Sequence, residues 1–207
     1  MSVIRRLPRY YRFLLQLQKS GMTRISSTEL SARLGLTASQ IRQDLNCFGG
    51  FGQQGYGYMV EQLAQEIGHI LGVAHRYPAV LFGAGNLGRA IAAHMNFEEL
   101  GFDLVGVFDN APQKIGTVIR GIEVQATDQF EAFYQERHPE MAVLCTPRAS
   151  VEQIVDRLYP LGVHNYWNFT HYDIAMKYPD AVVENVHLND SLLTLCYQIS
   201  NKEQVNG

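Results

Sequence analysis

Gly83-Ala84-Gly85-Asn86-Leu87-Gly88 follows the apolar run Ala79 to Phe82 and opens a helical segment, Leu87 to Met95. A G-x-G-x-x-G spacing is weak evidence by itself, and its context decides the fold. The next strand pattern, Leu104 to Phe108, ends at Asp109, 21 residues after Gly88. Strand, glycine turn, helix, strand and acidic residue in that order form the fingerprint of a Rossmann dinucleotide unit. Gly83 is expected to permit the tight turn, Gly85 to let the backbone approach a pyrophosphate, and Gly88 to seat the helix on the strand. Ala84, Asn86 and Leu87 complete the turn at the helix N-terminus, where phosphate charge is favoured. Asp109 is expected to bond the adenosine ribose hydroxyls. Asn110 and Ala111 follow it instead of Arg, so a 2′-phosphate would meet an anion with no cation beside it, which favours NAD(H) over NADP(H).

The downstream pattern alternates as a parallel sheet requires: helix near Asp128 to Glu136, strand Met141 to Cys145, helix Ser150 to Leu158, strand Val163 to Phe169. Ligands bind at the carboxyl ends of such strands, which makes Thr146-Pro147 and Asn168-Phe169 candidates for the nicotinamide pocket or, equally, ordinary turns. After Asp173 about 34 residues remain, too few for the substrate domain of a dehydrogenase. Tyr172 and Lys177 miss the Y-x-x-x-K spacing of short-chain dehydrogenases. Leu188, Leu192, Leu195, Cys196 and Ile199 mark a final helix with an apolar stripe, suited to a partner subunit or to its own sheet.

Upstream, Ser26-Ser27-Thr28-Glu29 is a capping box and Gly35 a helix end. Thr37-Ala38-Ser39-Gln40 repeats the box at once, so two helices are joined by a turn of helix-turn-helix length. On the second, Ala38, Ile41, Leu45 and Phe48 are spaced to face the core. Ser39, Arg42, Gln43 and Asn46 take the opposite face, with the chemistry for base edges: Arg pairs with guanine, and Gln or Asn with adenine. Phe48 to Tyr58, with five glycines among Gln53, Gln54, Tyr56 and Tyr58, reads as a hairpin wing or as a flexible linker. A first helix, about Leu7 to Ser20, is expected to bury Leu7, Tyr11, Leu14, Leu15 and Leu17 and to leave Arg5, Arg9 and Arg12 available. Residues 60 to 75 read as a further amphipathic helix. Arg76-Tyr77-Pro78 marks a boundary, so the chain is divided into residues 1–77, 78–173 and 174–207.

Charge supports the division. Residues 1–60 carry eight Lys or Arg against Glu29 and Asp44, a balance of +6, and the net −3 of the whole leaves −9 for the rest. The basic end favours DNA phosphates. Cys47, Cys145 and Cys196 stand singly, against a zinc site or disulfide framework, and the seven histidines show no ligand spacing. Neither a membrane span nor an export signal is evident, so a cytoplasmic location is expected.

These residues resemble the Rex family, bacterial redox-sensing transcriptional repressors, over nearly the whole chain. The most specific matches are Gln40 to Leu45, Phe48-Gly49 through Gly55 to Tyr58, Gly83 to Gly88, Phe108-Asp109, Lys114-Ile115-Gly116 and Glu184-Asn185-Val186. The resemblance implies a homodimer with winged-helix domains, Rossmann-like domains that bind NAD or NADH, and a C-terminal helix exchanged between subunits. It also implies that NADH releases a palindromic operator which the NAD-bound or free protein holds. It adds Gln40 to the DNA-binding set and Lys114 to the cofactor set, and gives Arg12, His94 and His187 a relay role. Gln43, Gln53 and Gln54 stand where many members carry Lys or Arg; His94 and His187 stand where tyrosine and aspartate are common. An NAD-dependent oxidoreductase and a sensor of another nucleotide, such as a CoA derivative, are the alternatives.

Overall fold

Leu7, Tyr10, Leu14 and Leu17 recur at intervals of three and four, which puts them on one stripe of a helix. In the computed structural model they are the buried face of α1, Val3–Lys19. The structure describes residues 3–49 and 57–205, with side chains as far as Asn201. Tyr10, at 2% exposure, takes the core place expected of Tyr11, and both Tyr11 and Leu15 are half-buried. The helix starts a turn earlier than its apolar stripe and continues through Pro8, whose missing N–H releases only the Ile4 carbonyl, on an exposed residue.

The chain divides into two units, Met1–His75 and Arg76–Gly207. In the first, β1 (Arg24–Ile25) leads into α2 (Ser27–Leu34), capped by the full Ser26–Glu29 box and closed by Gly35 in the left-handed region. Then come α3 (Ala38–Asn46), β2 (Tyr58–Met59) and α4 (Val60–Leu71), which Gly72 ends before the expected residue 75. Arg24 pairs with Met59 and Ile25 with Tyr58, an antiparallel ladder at the point where the segment expected to form the wing ends. A side chain on Gly57 would stand 2.6 Å from the Ile25 carbonyl oxygen, so this ladder needs glycine there.

The second unit is a seven-stranded sheet. Its strands are β3 (Tyr77–Phe82), β4 (Phe102–Asp109), β5 (Val118–Ile119), β6 (Ile122–Ala126), β7 (Met141–Leu144), β8 (Asn165–Asn168) and β9 (Val182–Asn185), in the order β5-β6-β4-β3-β7-β8-β9. Only the β5–β6 pair is antiparallel. Between them lie α5 (Asn86–His94), α6 (Phe130–Arg137), α7 (Arg148–Leu158) and α8 (Ile174–Lys177). Alternation along β3 feeds two cores. Val80 and Phe82 join Phe108, Phe130 and Val155 on one face, and Ala79 and Leu81 join Ile91, Ala92 and Val107 on the other.

The short strands β5, β6 and β9 were not legible in the sequence, since two to five residues at or next to a sheet edge carry little apolar signal. The last helix, α9 (Leu188–Val205), leaves Leu188, Leu192, Leu195 and Ile199 between 49% and 65% exposed, so its stripe is not packed on its own sheet. Among the described residues, no helix is long and apolar enough to cross a membrane, and no three His, Cys, Asp or Glu side chains converge on a metal position.

Candidate functional site

In the first unit the exposed face of α3 presents Ser39, Arg42, Gln43 and Asn46, while Ile41 and Leu45 are buried beneath them. Thr37 Oγ1 accepts from the Gln40 backbone N–H at 3.1 Å, half of the expected capping box. The other half is absent because the Gln40 amide donates instead to Asp44 Oδ1 at 2.8 Å. Gln40, half-buried, thereby spends its amide N–H on Asp44 inside the module. Arg42 is exposed and rests on Ser27 Oγ at 3.0 Å. Tyr58, expected among the DNA-facing residues, is 8% exposed and packs in the core, and burial raises its phenol pKa. Gln53, Gln54 and Tyr56 lie outside the described residues.

The sequence reading missed Asp44 as a buried charge. It is 2% exposed and accepts from Arg6 Nε and Nη2, each at 2.6 Å, from the Tyr10 hydroxyl at 2.6 Å and from Gln40. The Arg6 guanidinium holds the carboxyl below the usual carboxylate value against the opposing effect of burial, and Tyr10 and Gln40 add to it. A polar residue between the apolar Ile41 and Leu45 was the available signal.

In the second unit, a cleft of about 680 Å³ opens at the carboxyl ends of the strands. The chain reverses its direction of travel across the sheet between β3 and β7, and this switch point is where a ligand finds a crevice. Gly83, at φ +99°, makes the turn, and a Cβ there would stand 2.6 Å from the Cys145 carbonyl oxygen. A Cβ on Gly88 would meet the Gly83 carbonyl oxygen at 1.9 Å, whereas one on Gly85 would meet only Lys114 Nζ, at 3.9 Å. The first and third glycines are therefore demanded by packing, and the second faces open space. Gly85 is the N-cap of α5 and offers no side-chain bond to it, which leaves the helix's first N–H groups for an anion.

Asp109 Oδ2 accepts from the Ala84 N–H at 2.7 Å and from Lys114 Nζ at 3.0 Å, and Oδ1 from the Ala111 N–H at 2.8 Å. Burial opposes its charge, but these bonds from Ala111, Lys114 and Ala84 prevail and lower its pKa. With about four acceptor positions on a carboxylate, one remains for a ribose hydroxyl. The absence of a cation, argued from Asn110 and Ala111, is corrected here: the loop after β4 turns back so that Lys114 pairs with Asp109.

Thr146, Pro147 and Phe169 line the cleft as expected, together with Leu87. Thr146 Oγ1 is buried without a hydrogen-bond partner, the condition of a group kept for a ligand. Asn168 does not line it. That side chain is fully buried and bonds Tyr172, Asn185 and Thr170, bracing β8 to β9 and the following loop. The sequence reading also missed Thr127, just beyond the end of β6, and Ser150, in the first turn of α7, both of which line the cleft; closeness to a strand end or a helix start was their only signal. Among the relay candidates, Arg12 is exposed on α1, His94 is exposed at the end of α5, and His187 lies 3.5 Å from Asp190 with its ring 5.5 Å from that of His171. The glycine cradle, the uncapped helix and the unpartnered hydroxyl fit a dinucleotide.

Comparison with known proteins matches one segment in each part of the chain. Residues 1–46 match the family described as "Putative DNA-binding protein N-terminus" and residues 74–172 the family described as "CoA binding domain". A redox-sensing transcriptional repressor Rex from Caldanaerobacter subterraneus subsp. tengcongensis is 50% identical over 98% of this chain and 90% of its own length. One from Clostridium acetobutylicum is 48% identical over 94% of this chain and 91% of its own. The chain belongs to the Rex family. Within it, a solved structure of RSP with β-NAD+ and operator DNA is 47% identical, with a TM-score of 0.88, covering all of this chain and 95% of that one. RSP with β-NADH is 44% identical, with a TM-score of 0.89, covering all of this chain and 96% of that one. Membership in Rex gives the α/β architecture with a DNA-binding N-terminal unit and a Rossmann-like unit.

Proposed function

We propose that this Rex-family chain is a transcriptional repressor, not an enzyme, that holds a palindromic operator as a homodimer and releases it when NADH replaces NAD. The observation that carries the reading is the pairing, in one chain, of an uncapped Rossmann helix beside an open glycine turn with an Arg-Gln-Asn helix face. Solved relatives sharing this fold over its whole length were captured with β-NAD+ and operator DNA and with β-NADH. Pyrophosphate is held at the N-terminus of α5, Asp109 accepts from the ribose, and Thr146, Pro147 and Phe169 surround the nicotinamide. Reduction of the cofactor removes the positive charge of that ring. The two cofactors then favour different arrangements of the dimer to the extent that the pocket touches them unequally.

The exposed stripe of α9 supplies the dimer surface, with the helix exchanged between subunits, and the protein works in the cytoplasm. Arg12, His94 and His187 remain the candidates for carrying the cofactor state to the DNA-binding unit, and Gln53, Gln54 and Tyr56 for the wing contacts. An oxidoreductase reading is disfavoured by the nicotinamide end, where the lining residues include no acid–base pair. Burial pushes the Cys145 thiol up to about 12, so it is no nucleophile at neutral pH.

Operator binding titrated with NADH, NAD and NADPH tests the proposal. NADH is expected to lower operator affinity by about 100-fold, a coupling of about 2.7 kcal/mol, and bound operator to weaken NADH by the same factor. NAD is expected to leave the complex intact. Equal NADH dissociation constants with and without saturating operator would refute the sensor, and steady NADH consumption with an aldehyde or keto acid would restore the enzyme.

A further inference from the structure

Four hydrogen bonds converge on one carboxylate beneath the face assigned to base reading. Arg6 approaches Asp44 with two nitrogens of its planar fork, each at 2.6 Å, and Tyr10 and Gln40 take the remaining acceptor positions. The side chains are 17% and 2% exposed, so the pair sits largely out of water. A buried ion pair is a poor source of net stability, because desolvation cancels most of its attraction, and apolar side chains of similar volume usually serve as well. Its geometry is what an apolar pair cannot supply. Ile41 and Leu45 hold α3 by contacts without direction, and such contacts tolerate a small rotation or slide of the helix. A bidentate guanidinium–carboxylate pair does not.

Asp44 is two residues from Arg42 and next to Gln43, so the angle at which those side chains leave the surface follows the setting of Asp44. The other end of the bracket lies on α1, beside the exposed Arg9. We infer that Asp44 is a positioning residue for sequence readout: with Arg6 and Tyr10 it fixes the rotational setting of α3 on α1, so that α1 and α3 meet DNA as one rigid body. The inference rests on the reading of α3 as the recognition helix and adds the device that sets its specificity.

The test compares affinity for a duplex selected from a random pool by the unmodified chain with affinity for a shuffled duplex of equal composition. Tyr10→Phe removes one bond. Arg6→Lys keeps the charge and loses the fork. The double variant Arg6→Met/Asp44→Leu replaces the pair with apolar volume and guards against a misfolded single variant. Each is expected to keep its cooperative melt, its NADH affinity and its affinity for shuffled DNA. The preference for the selected duplex should fall by about tenfold in Arg6→Lys and further in the double variant, with less change in Tyr10→Phe. If the double variant folds and keeps the full preference, or if all variants lose both duplexes equally, the positioning role is overturned. If the unmodified chain selects no sequence at all, the recognition-helix reading falls, and this inference with it.

Discussion

Gly85 and Gly88 of one turn are present for different reasons, and single substitutions separate them. A methyl on Gly88 would overlap the Gly83 carbonyl oxygen, which is backbone and cannot step aside. Gly88→Ala is expected to destabilise the second unit by about 1–3 kcal/mol, the usual range for overpacking, read as a lower urea midpoint of Trp167 fluorescence. Gly85 has room on the protein side and an ordinary φ of −74°, so Gly85→Ala should leave that midpoint nearly unchanged. The methyl would instead stand where backbone and pyrophosphate approach each other, and NADH affinity measured by calorimetry should fall by about tenfold or more. Equal stability losses in the two variants would contradict this division of roles.

At the scale of elements, α1 and α3 are joined through a carboxylate, which makes their packing sensitive to acid. The Arg6 guanidinium, against the opposing effect of burial, holds the Asp44 pKa below its ordinary value of 3.8, so the folded state binds this proton less readily than the unfolded chain. Its contribution is therefore complete above the unfolded value and is lost as pH falls through the lower folded one. Denaturation followed by far-ultraviolet circular dichroism should show the helical first unit weakening below about pH 4. Asp44→Asn is expected to be less stable at neutral pH, because it removes the carboxylate charge that the Arg6 fork grips, and to show a shallower dependence in this range. An unaltered acid slope in that variant would assign the effect to other carboxylates, such as Asp109, whose pKa hydrogen bonds also lower against burial.

For the whole molecule, the question is what covers α9. Its Leu188, Leu192, Leu195 and Ile199 are about half or more exposed in one chain, an arrangement that a second copy would bury. Leu192→Glu with Leu195→Glu should give a monomer by sedimentation that still binds NADH. Its operator affinity should drop by about 100-fold or more, because two half-sites are then read by unlinked modules. A variant that remained dimeric with full operator affinity would place the dimer interface elsewhere.

The sequence by itself determined the order of units and much of their chemistry. The fingerprint at Gly83 to Gly88 with Asp109, the capping box at Ser26 and the exposed set Ser39, Arg42, Gln43 and Asn46 all depend on local spacing along the chain, which period and turn chemistry reveal. Only the tertiary structure decided what depends on residues distant in sequence. Lys114 returning to Asp109, Asn168 turned inward to Asn185, Tyr58 paired opposite Ile25 and Arg6 reaching Asp44 are products of loops and packing. A polar residue on a helix or at a strand end looks the same in sequence whether it will face solvent, a ligand or a buried partner. The choice among them is made by which side chains the fold brings within hydrogen-bonding distance, since a buried polar group must find a partner and an exposed one need not.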